Sequence, residues 1–298
     1  MLDVLIVGAG PAGLSAALVL GRCRRQVLIC DSGRTRNAAS LGLHGFLTRD
    51  GIEPTEFLRI GREQLRPYET IELRQTKVTD ARRLPIGFEV TLSNGERISS
   101  RKVLLATGVV DDVPAIEGLA ELYGRSVFHC PYCDGWEMRD QPLAIYGRGE
   151  NGLGLSLELL LWSRDLVLCS DGPSELSDEE RQRLAHHEIK LREDRIARME
   201  GSDGALQRIV FANGDSLARS AMFFSTDQRQ ASGLAQKLGC AFTEQGCVDT
   251  GEYETTNVSG LYVAGDASRL VQFVIVAASE GAQAAVAINK ELMKEDLA

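Results

Sequence analysis

The sequence predicts an α/β protein in which one three-layer βαβ domain is inserted into another of the same kind. Three observations predict it. A strand, glycine-rich turn and helix open the chain; a second copy of that unit begins near residue 142; and a strand that fits neither copy lies near the other end. In the first copy Leu2 to Val7 reads as a buried strand and leads straight into Gly8-Ala9-Gly10-Pro11-Ala12-Gly13. An Ala/Leu-rich helix over Leu14 to Leu20 follows, then a strand from Gln26 to Cys30 that ends on Asp31. In the second copy Pro142 to Tyr146 leads into Gly147-Arg148-Gly149-Glu150-Asn151-Gly152, a Leu-rich helix, the strand Leu166 to Cys169, and Asp171. The first glycine and the acid stand 23 residues apart in one copy and 24 in the other. Each copy then has an Asn-Gly turn signal of the two-residue hairpin type (Asn94-Gly95, Asn213-Gly214) and a closing strand. Those strands, Val103 to Ala106 and Ala221 to Ser225, end at Thr107-Gly108 and Thr226-Asp227, and turn glycine and final residue are 13 apart in both copies. The economical solution is two Rossmann-like dinucleotide-binding domains, residues 1–112 with 229–298, and an inserted 113–228. Val109 to Pro114 then reads as the crossing, and Leu261 to Asp266 as a strand of the first domain.

Each fingerprint works through its backbone. Gly8 and Gly147 permit the tight strand-to-helix turn, Gly10 and Gly149 let a pyrophosphate approach, and Gly13 and Gly152 let helix and strand pack closely. The phosphates then face unpaired N–H groups at the positive end of a helix. Asp31 and Asp171 are the candidate acceptors for a ribose diol.

Composition narrows the function further. The chain is 44% hydrophobic with 30 glycines, ordinary globular material. Its formal charge is −9 with the acids scattered, so no basic face offers itself to nucleic acid or to an anionic membrane. No apolar run reaches the roughly 18–20 residues of a membrane span, since Val271 to Ile288 is broken by Gln272, Ser279, Glu280 and Gln283. A strand starting at Leu2 leaves no room for a basic leader, which predicts a soluble cytoplasmic protein. Seven cysteines, an odd count, argue against a structural disulfide framework. Cys23, Cys30, Cys169, Cys240 and Cys247 stand alone and read as small buried or half-buried side chains.

Cys130-Pro131-Tyr132-Cys133-Asp134-Gly135 is different. Two cysteines separated by two residues can close a redox-active disulfide or hold one side of a metal site. A structural zinc needs a second pair, and none is present even counting His129 next door, so no metal is expected. Pro131 suits the first position of a helix, which would set Cys130 at a helix N-terminus and lower its thiol pKa. Asp134 could shuttle a proton when a thiolate leaves, or could equally cap a helix. Tyr132 and Trp136 read as packing residues, and His44 as a loop histidine that could face a bound flavin.

These motifs resemble those of the low-molecular-weight thioredoxin reductase family of flavoprotein disulfide reductases, from end to end of the chain. The resemblance rests on Gly8 to Gly13, Ala106-Thr107-Gly108, Cys130 to Gly135, the second fingerprint, Ala264-Gly265-Asp266, and Gln272 followed by Ala277-Ala278 and Gly281. It implies FAD bound by a domain made from both chain ends, with Gly8, Gly10, Pro11, Ala12, Gly13, Asp31, Thr107, Gly108, Gly265, Asp266 and Gln272 at the cofactor. It also implies a homodimer, a thioredoxin-like protein or small-molecule disulfide or dithiol as partner, Cys130 attacking that partner, Cys133 meeting the flavin, and Asp134 as acid–base. Three departures qualify it. Pro131-Tyr132 replaces the family's Ala-Thr. Asp171 and Glu175 stand where NADPH-using members carry a basic cluster, which makes NADPH an unlikely reductant and leaves NADH, a second flavin nucleotide or a nearly vacant second site. Asp227 stands where the first copy has Gly108. The implied activity is dithiol–disulfide exchange coupled to FAD. An oxygen-dependent dithiol oxidase is the runner-up, and a flavin redox sensor without turnover the third reading.

Overall fold

A computed structural model describes residues 1–298, which divide into two compact units. The first comprises Met1–Ala38, Gly45–Asp111 and Gln228–Ala298, and the second Ala39–His44 with Asp112–Asp227.

In the first unit the chain runs β1 (Leu2–Val7), α1 (Pro11–Arg22), β2 (Val27–Asp31), α2 (Pro54–Leu65), β3 (Ile71–Gln75), β4 (Val78–Arg83), β5 (Phe88–Leu92), β6 (Arg97–Leu105) and β7 (Val109–Asp111). Strands β3, β2, β1 and β6 are parallel in that order. Both faces of these strands are covered, which is why β1 and β2 read as unbroken apolar runs. Val4, Ile6, Val27, Ile29 and Leu104 meet the helices through Ala16, Ala17 and Leu20. Leu5, Leu28, Val103 and Leu105 face the other way, onto Val78, Ala81, Phe88 and Val90 of the β4–β5 hairpin. β6 does double duty: residues 97–100 pair with β5 antiparallel, while 103–105 pair parallel with a strand from the far end of the chain.

The second unit runs β8 (Val127–Phe128), α3 (Pro131–Asp134), β9 (Leu143–Tyr146), α4 (Gly149–Glu158), β10 (Leu166–Cys169), α5 (Asp178–His186), β11 (Lys190–Arg192), β12 (Ile196–Ser202), β13 (Ala205–Phe211), β14 (Ser216–Ala218) and β15 (Ala221–Phe224). Its parallel sheet has the order β11-β10-β9-β15-β8, with α4 and α5 on one face and the antiparallel β12-β13-β14 sheet on the other. The chain then returns to the first unit as β16 (Gln228–Gln230), α6 (Leu234–Lys237), β17 (Leu261–Val263) and α7 (Val274–Asp296). β16 pairs antiparallel with β7.

The two units therefore share one plan, β3-β2-β1-β6-β17 and β11-β10-β9-β15-β8. The fifth strand is β17 from after the insertion in one unit, and β8 from before the fingerprint in the other. This accounts for a C-terminal strand that fitted neither sequence repeat. The hairpins differ from the two-residue loops expected: four residues separate β5 from β6, and four separate β13 from β14. Gly95 (φ +84°) and Gly214 (φ +90°) still occupy the left-handed positions, but Leu92 and Phe211 already close the ladder onto the backbones of Glu96 and Asp215.

The long helix α7 lies against α1, and Gly281 makes that contact possible: a Cβ there would fall 2.0 Å from the Ala12 carbonyl oxygen. Further along, Lys102, buried on β6, reaches Glu291 and Glu295 of α7 at 2.7 Å each, and Arg101 binds Glu295 and Asp296. No helix is long and apolar enough to cross a membrane.

Two glycine-to-alanine changes should have opposite effects. Gly154→Ala, in exposed α4 with open space around its Cα, should stabilise the second unit by about 0.5–1 kcal/mol through helix propensity. Gly281→Ala gains the same propensity but drives a methyl into backbone, and overpacking of about 1–3 kcal/mol or more should win. Thermal unfolding of both variants checks this: a Gly281→Ala midpoint at or above the parent's would mean that α1 and α7 are not in backbone contact.

Candidate active site

The cysteine pair sits where β8 ends. Cys130 is extended (φ −126°, ψ 102°), Pro131 opens α3, and Cys130 and Cys133 are joined as a disulfide with their Cα atoms 5.3 Å apart. The helix expected to begin at Pro131 is a single turn, held by Cys133 and Asp134 donating to the Cys130 carbonyl. It is too short to develop much macrodipole, and it sets Asp134 directly after the second cysteine.

Asp134 does not cap a helix, because Cys130 stands at the start of that turn and no side chain caps it. Burial lifts the Asp134 carboxyl to about 7, with the charge of Glu137 adding to the effect. The group is thus poised between acid and base near neutrality, beside the second sulfur. His44 lies in the same unit, its Nε2 3.7 Å from Glu137 Oε1. His129 Nδ1 is 3.0 Å from the Tyr123 hydroxyl and stacks on that ring.

Tyr132 and Trp136 depart from the packing role expected of them. They are 62% and 64% exposed, Tyr132 edge-on to Trp162 and Trp136 beneath the Arg139 guanidinium at 4.2 Å. Gly135 permits this, since a Cβ there would lie 2.8 Å from the Trp162 ring. With Leu161 exposed as well, an aromatic surface borders the disulfide turn. Of the five remaining cysteines, Cys30, Cys169, Cys240 and Cys247 are buried, and burial raises the thiol pKa of each, Cys30 to about 11 and Cys169 to about 12. Cys23, following α1, is exposed instead.

The first fingerprint has a dinucleotide cradle's shape. Gly8 (φ +108°) lies so close to β6 that a Cβ would meet the Ala106 carbonyl at 2.2 Å, and a Cβ on Gly13 would meet the Gly8 carbonyl at 2.0 Å. Gly10 faces open space, as does Gly108 (φ +65°). Gly10 precedes α1 with no side-chain cap, and Pro11 occupies the first helical position, so the N–H groups of Ala12 and Gly13 have no side chain drawn over them. The Gly265 N–H donates to buried Glu280 at 2.7 Å, and Glu280 in turn binds Arg269 at 2.6 Å. Asp31 is buried at the tip of β2, accepting from Gly33 N–H at 3.0 Å and from Arg62 at 2.7 Å. These residues fit FAD: the open glycine, the uncapped helix start and the buried acid would take its pyrophosphate and ribose.

Sequence reasoning missed Arg36. Its guanidinium binds Asp111 through two bonds (2.7 and 2.8 Å), Asp266 Oδ2 at 2.9 Å and Gln272 Oε1 at 2.6 Å. The Gln272 amide donates to Gln228 and to the Arg269 carbonyl, so its side chain is committed within this network. A lone arginine in a loop carries no signal of such a position.

The second fingerprint repeats the close helix-on-strand packing of the first but not its backbone conformation, since Gly149 lies at φ +51° where Gly10 lies at φ −75°, and its turn is bonded to the chain itself. A Cβ on Gly152 would lie 2.7 Å from the Gly147 carbonyl carbon, as packing of helix on strand requires. Gly149 N–H, however, donates to the Ser174 carbonyl at 2.8 Å. Arg148 folds back over the strand tip and donates to the carbonyls of Ser170 (2.7 Å) and Asp171. Asp171 Oδ1 accepts from Ile196 N–H at 2.7 Å. The chain itself thus takes up Gly149 N–H, the Arg148 guanidinium and Asp171 Oδ1, while the start of α4, like that of α1, carries no side-chain cap.

Comparison with known proteins fits this architecture. The family described as pyridine nucleotide-disulphide oxidoreductase matches residues 2–281. The chain is 32% identical to the probable thioredoxin reductase of Arthroderma benhamiae, over 98% of this chain and 81% of that protein. The crystal structure of the putative thioredoxin reductase TrxB from Bacillus anthracis superposes with a TM-score of 0.94 at 34% identity, covering 99% of this chain and all of that one. The crystal structure of HlmI superposes with a TM-score of 0.95 at 36% identity, covering 99% and 94%. The chain belongs to the pyridine nucleotide-disulphide oxidoreductase family, as a thioredoxin-reductase-like flavoprotein enzyme.

Proposed function

We propose that this enzyme is a dithiol oxidase, with electrons entering at Cys130–Cys133 from a substrate dithiol rather than at the second fingerprint from a nicotinamide. The observation that carries the reading is the filled second cradle: Gly149 N–H is given to Ser174, and Arg148 and Asp171 are bound to the backbone. A nicotinamide dinucleotide would first have to displace these bonds, and a 2′-phosphate would also meet the Asp171 carboxylate. The exposed Tyr132–Trp136 surface suits a substrate that is partly apolar, a small molecule or a protein segment carrying two thiols.

In the exchange, a substrate thiolate attacks Cys130 Sγ and the Cys130–Cys133 bond breaks. Asp134, protonated near neutral pH, gives its proton to the departing Cys133 sulfur. The substrate's second thiolate then attacks the sulfur bound to Cys130 and releases the substrate disulfide, leaving two electrons on the cysteine pair. Bound FAD supplies the two-electron acceptor for that pair and a route from it to dioxygen, yielding hydrogen peroxide. Asp134, as the carboxylate, is the base that receives a proton when the pair is reoxidised. On this reading residues 1–112 and 229–298 form the flavin domain. Gly8, Gly10, Pro11, Ala12, Gly13, Asp31, Thr107, Gly108, Gly265, Asp266 and Gln272 surround the cofactor, and the enzyme works as a homodimer in the cytoplasm. The second reading is a reductase passing electrons outward to a disulfide, favoured by the thioredoxin reductases among its relatives.

Anaerobic bleaching of the flavin band separates the two. A dithiol such as dithiothreitol should bleach it within the dead time of manual mixing, NADH and NADPH should not, and air should restore the band with one hydrogen peroxide per dithiol. Fast bleaching by either nucleotide would sink the oxidase reading. Serine at Cys130 or Cys133 should abolish turnover with flavin content unchanged.

Asp134 predicts a pH signature. Its folded pKa of about 7 lies above the ordinary carboxylate value, so the acid form is lost as pH rises through about 7, and the exchange step should slow on that side. Asp134→Asn should lower the rate of dithiol exchange by about 10²–10⁴-fold and remove that limb of the profile. A limb that survives in the variant assigns the ionisation to another group.

A further inference from the structure

We infer that Arg36 is a positioning residue for the flavin, acting through Asp266 by holding its carboxylate aimed at the cofactor. The inference rests on the reading above that Asp266 belongs to the flavin site, and it assigns the arginine that no motif marks.

The geometry is that of a built cluster rather than a surface pair. The Arg36 side chain is 18% exposed, and its partners include three residues from separate parts of the unit. These are Asp111 at the end of β7, Asp266 after β17, and Gln272 just before α7. Nε and Nη2 take both oxygens of Asp111, whose side chain is only 4% exposed, in the fork geometry that arginine alone provides. Nη1 is left to bridge Asp266 Oδ2 and Gln272 Oε1. Gln228 on β16 closes the cluster, binding Asp111 at 3.0 Å and Gln272 at 2.9 Å.

The chemistry explains the need. Asp111 and Asp266 are two carboxylates in one buried site, and each opposes the other's ionisation. Burial raises the Asp266 pKa and the Asp111 charge raises it further, while Arg36 pulls it down. Without the guanidinium, one carboxylate would take up a proton or swing away. Arg36 binds only Oδ2 of Asp266, and a carboxylate oxygen held on one side leaves the other free to accept from a hydroxyl. The Gly265 N–H bond to Glu280 fixes the same turn, so the turn is held at the Gly265 backbone by one residue and at the Asp266 carboxylate by another. By contrast Asp31, the acid the fingerprint does predict, is steadied by an arginine of its own, Arg62. Each candidate cofactor acid thus has an arginine that the motifs do not name.

The test uses the purified holoenzyme and reads the release of FAD on dilution as the rise of free flavin fluorescence. Arg36→Met should release FAD about tenfold faster or more, as expected where a hydrogen bond to a charged group is lost. Arg36→Lys, which keeps the charge but cannot fork, should recover part of the loss. Asp266→Asn should speed release to a similar extent, and the double variant Arg36→Met/Asp266→Asn should be no worse than the poorer single one, since both changes break one pathway. If Asp266→Asn releases FAD quickly while Arg36→Met holds it like the parent, Asp266 belongs to the flavin site and the role of Arg36 is overturned. If neither changes release, the flavin assignment of Asp266 fails and the inference with it. Should Arg36→Met not accumulate as folded protein, Arg36→Lys against Arg36→Gln carries the comparison: equal release rates in the two would overturn the role.

Discussion

Close backbone approach around the first glycine turn is the constraint on which the rest of the first unit depends. Gly8 brings β1 against β6, Gly13 brings α1 against the turn, and Gly281 brings α7 against α1. At all three a single methyl would fall within 2.2 Å of a carbonyl oxygen. These contacts fix where α1 starts, and an uncapped helix start in a fixed place can receive a pyrophosphate without reorganising. They also explain the discontinuity of the unit: α7 must return from the far end of the chain to cover α1, and β17 must arrive with it to carry Gly265 and Asp266 beside β6.

The insertion leaves this arrangement undisturbed because it enters and leaves through one antiparallel ribbon. β7 and β16 pair with Asp111 opposite Gln228, so the two ends of the inserted segment are adjacent in register. The inserted unit then repeats the same sheet order while using its glycine turn differently. Where α1 begins at an open glycine, α4 begins at a glycine whose N–H is already satisfied by Ser174. Arg148, the residue between the first two glycines of the second fingerprint, adds a further difference by reaching the carbonyls of Ser170 and Asp171, where the first copy has the short Ala9.

Fold and fingerprints were legible in the sequence because both rest on local patterns. A parallel strand buried on two faces reads as an apolar run, and the glycine spacing follows from a turn whose geometry no other residue tolerates. The loop lengths of the hairpins were not legible, since Asn-Gly fits the tip of a four-residue loop as well as a two-residue one. Arg36, Arg62, Glu280 and the folded-back Arg148 were hidden for a different reason. Each acts through partners outside its own element that no spacing rule joins to it, and in the extreme case Arg36 meets Asp266 across 230 positions. Tyr132 and Trp136 were read only as packing residues, and their exposure beside the disulfide turn leaves no mark in the local pattern.

That short turn has a chemical consequence. A single turn develops little macrodipole. One turn followed by Gly135 against Trp162 instead tucks Asp134 inward, where loss of hydration and the nearby Glu137 charge favour its neutral form. In the mechanism proposed above, control of the sulfur chemistry rests not on a helix dipole but on the proton of Asp134. For thiol–disulfide exchange the second arrangement is the more useful near neutral pH. The leaving sulfur's basicity limits the rate, and an acid of matched pKa removes that limit in both directions of exchange.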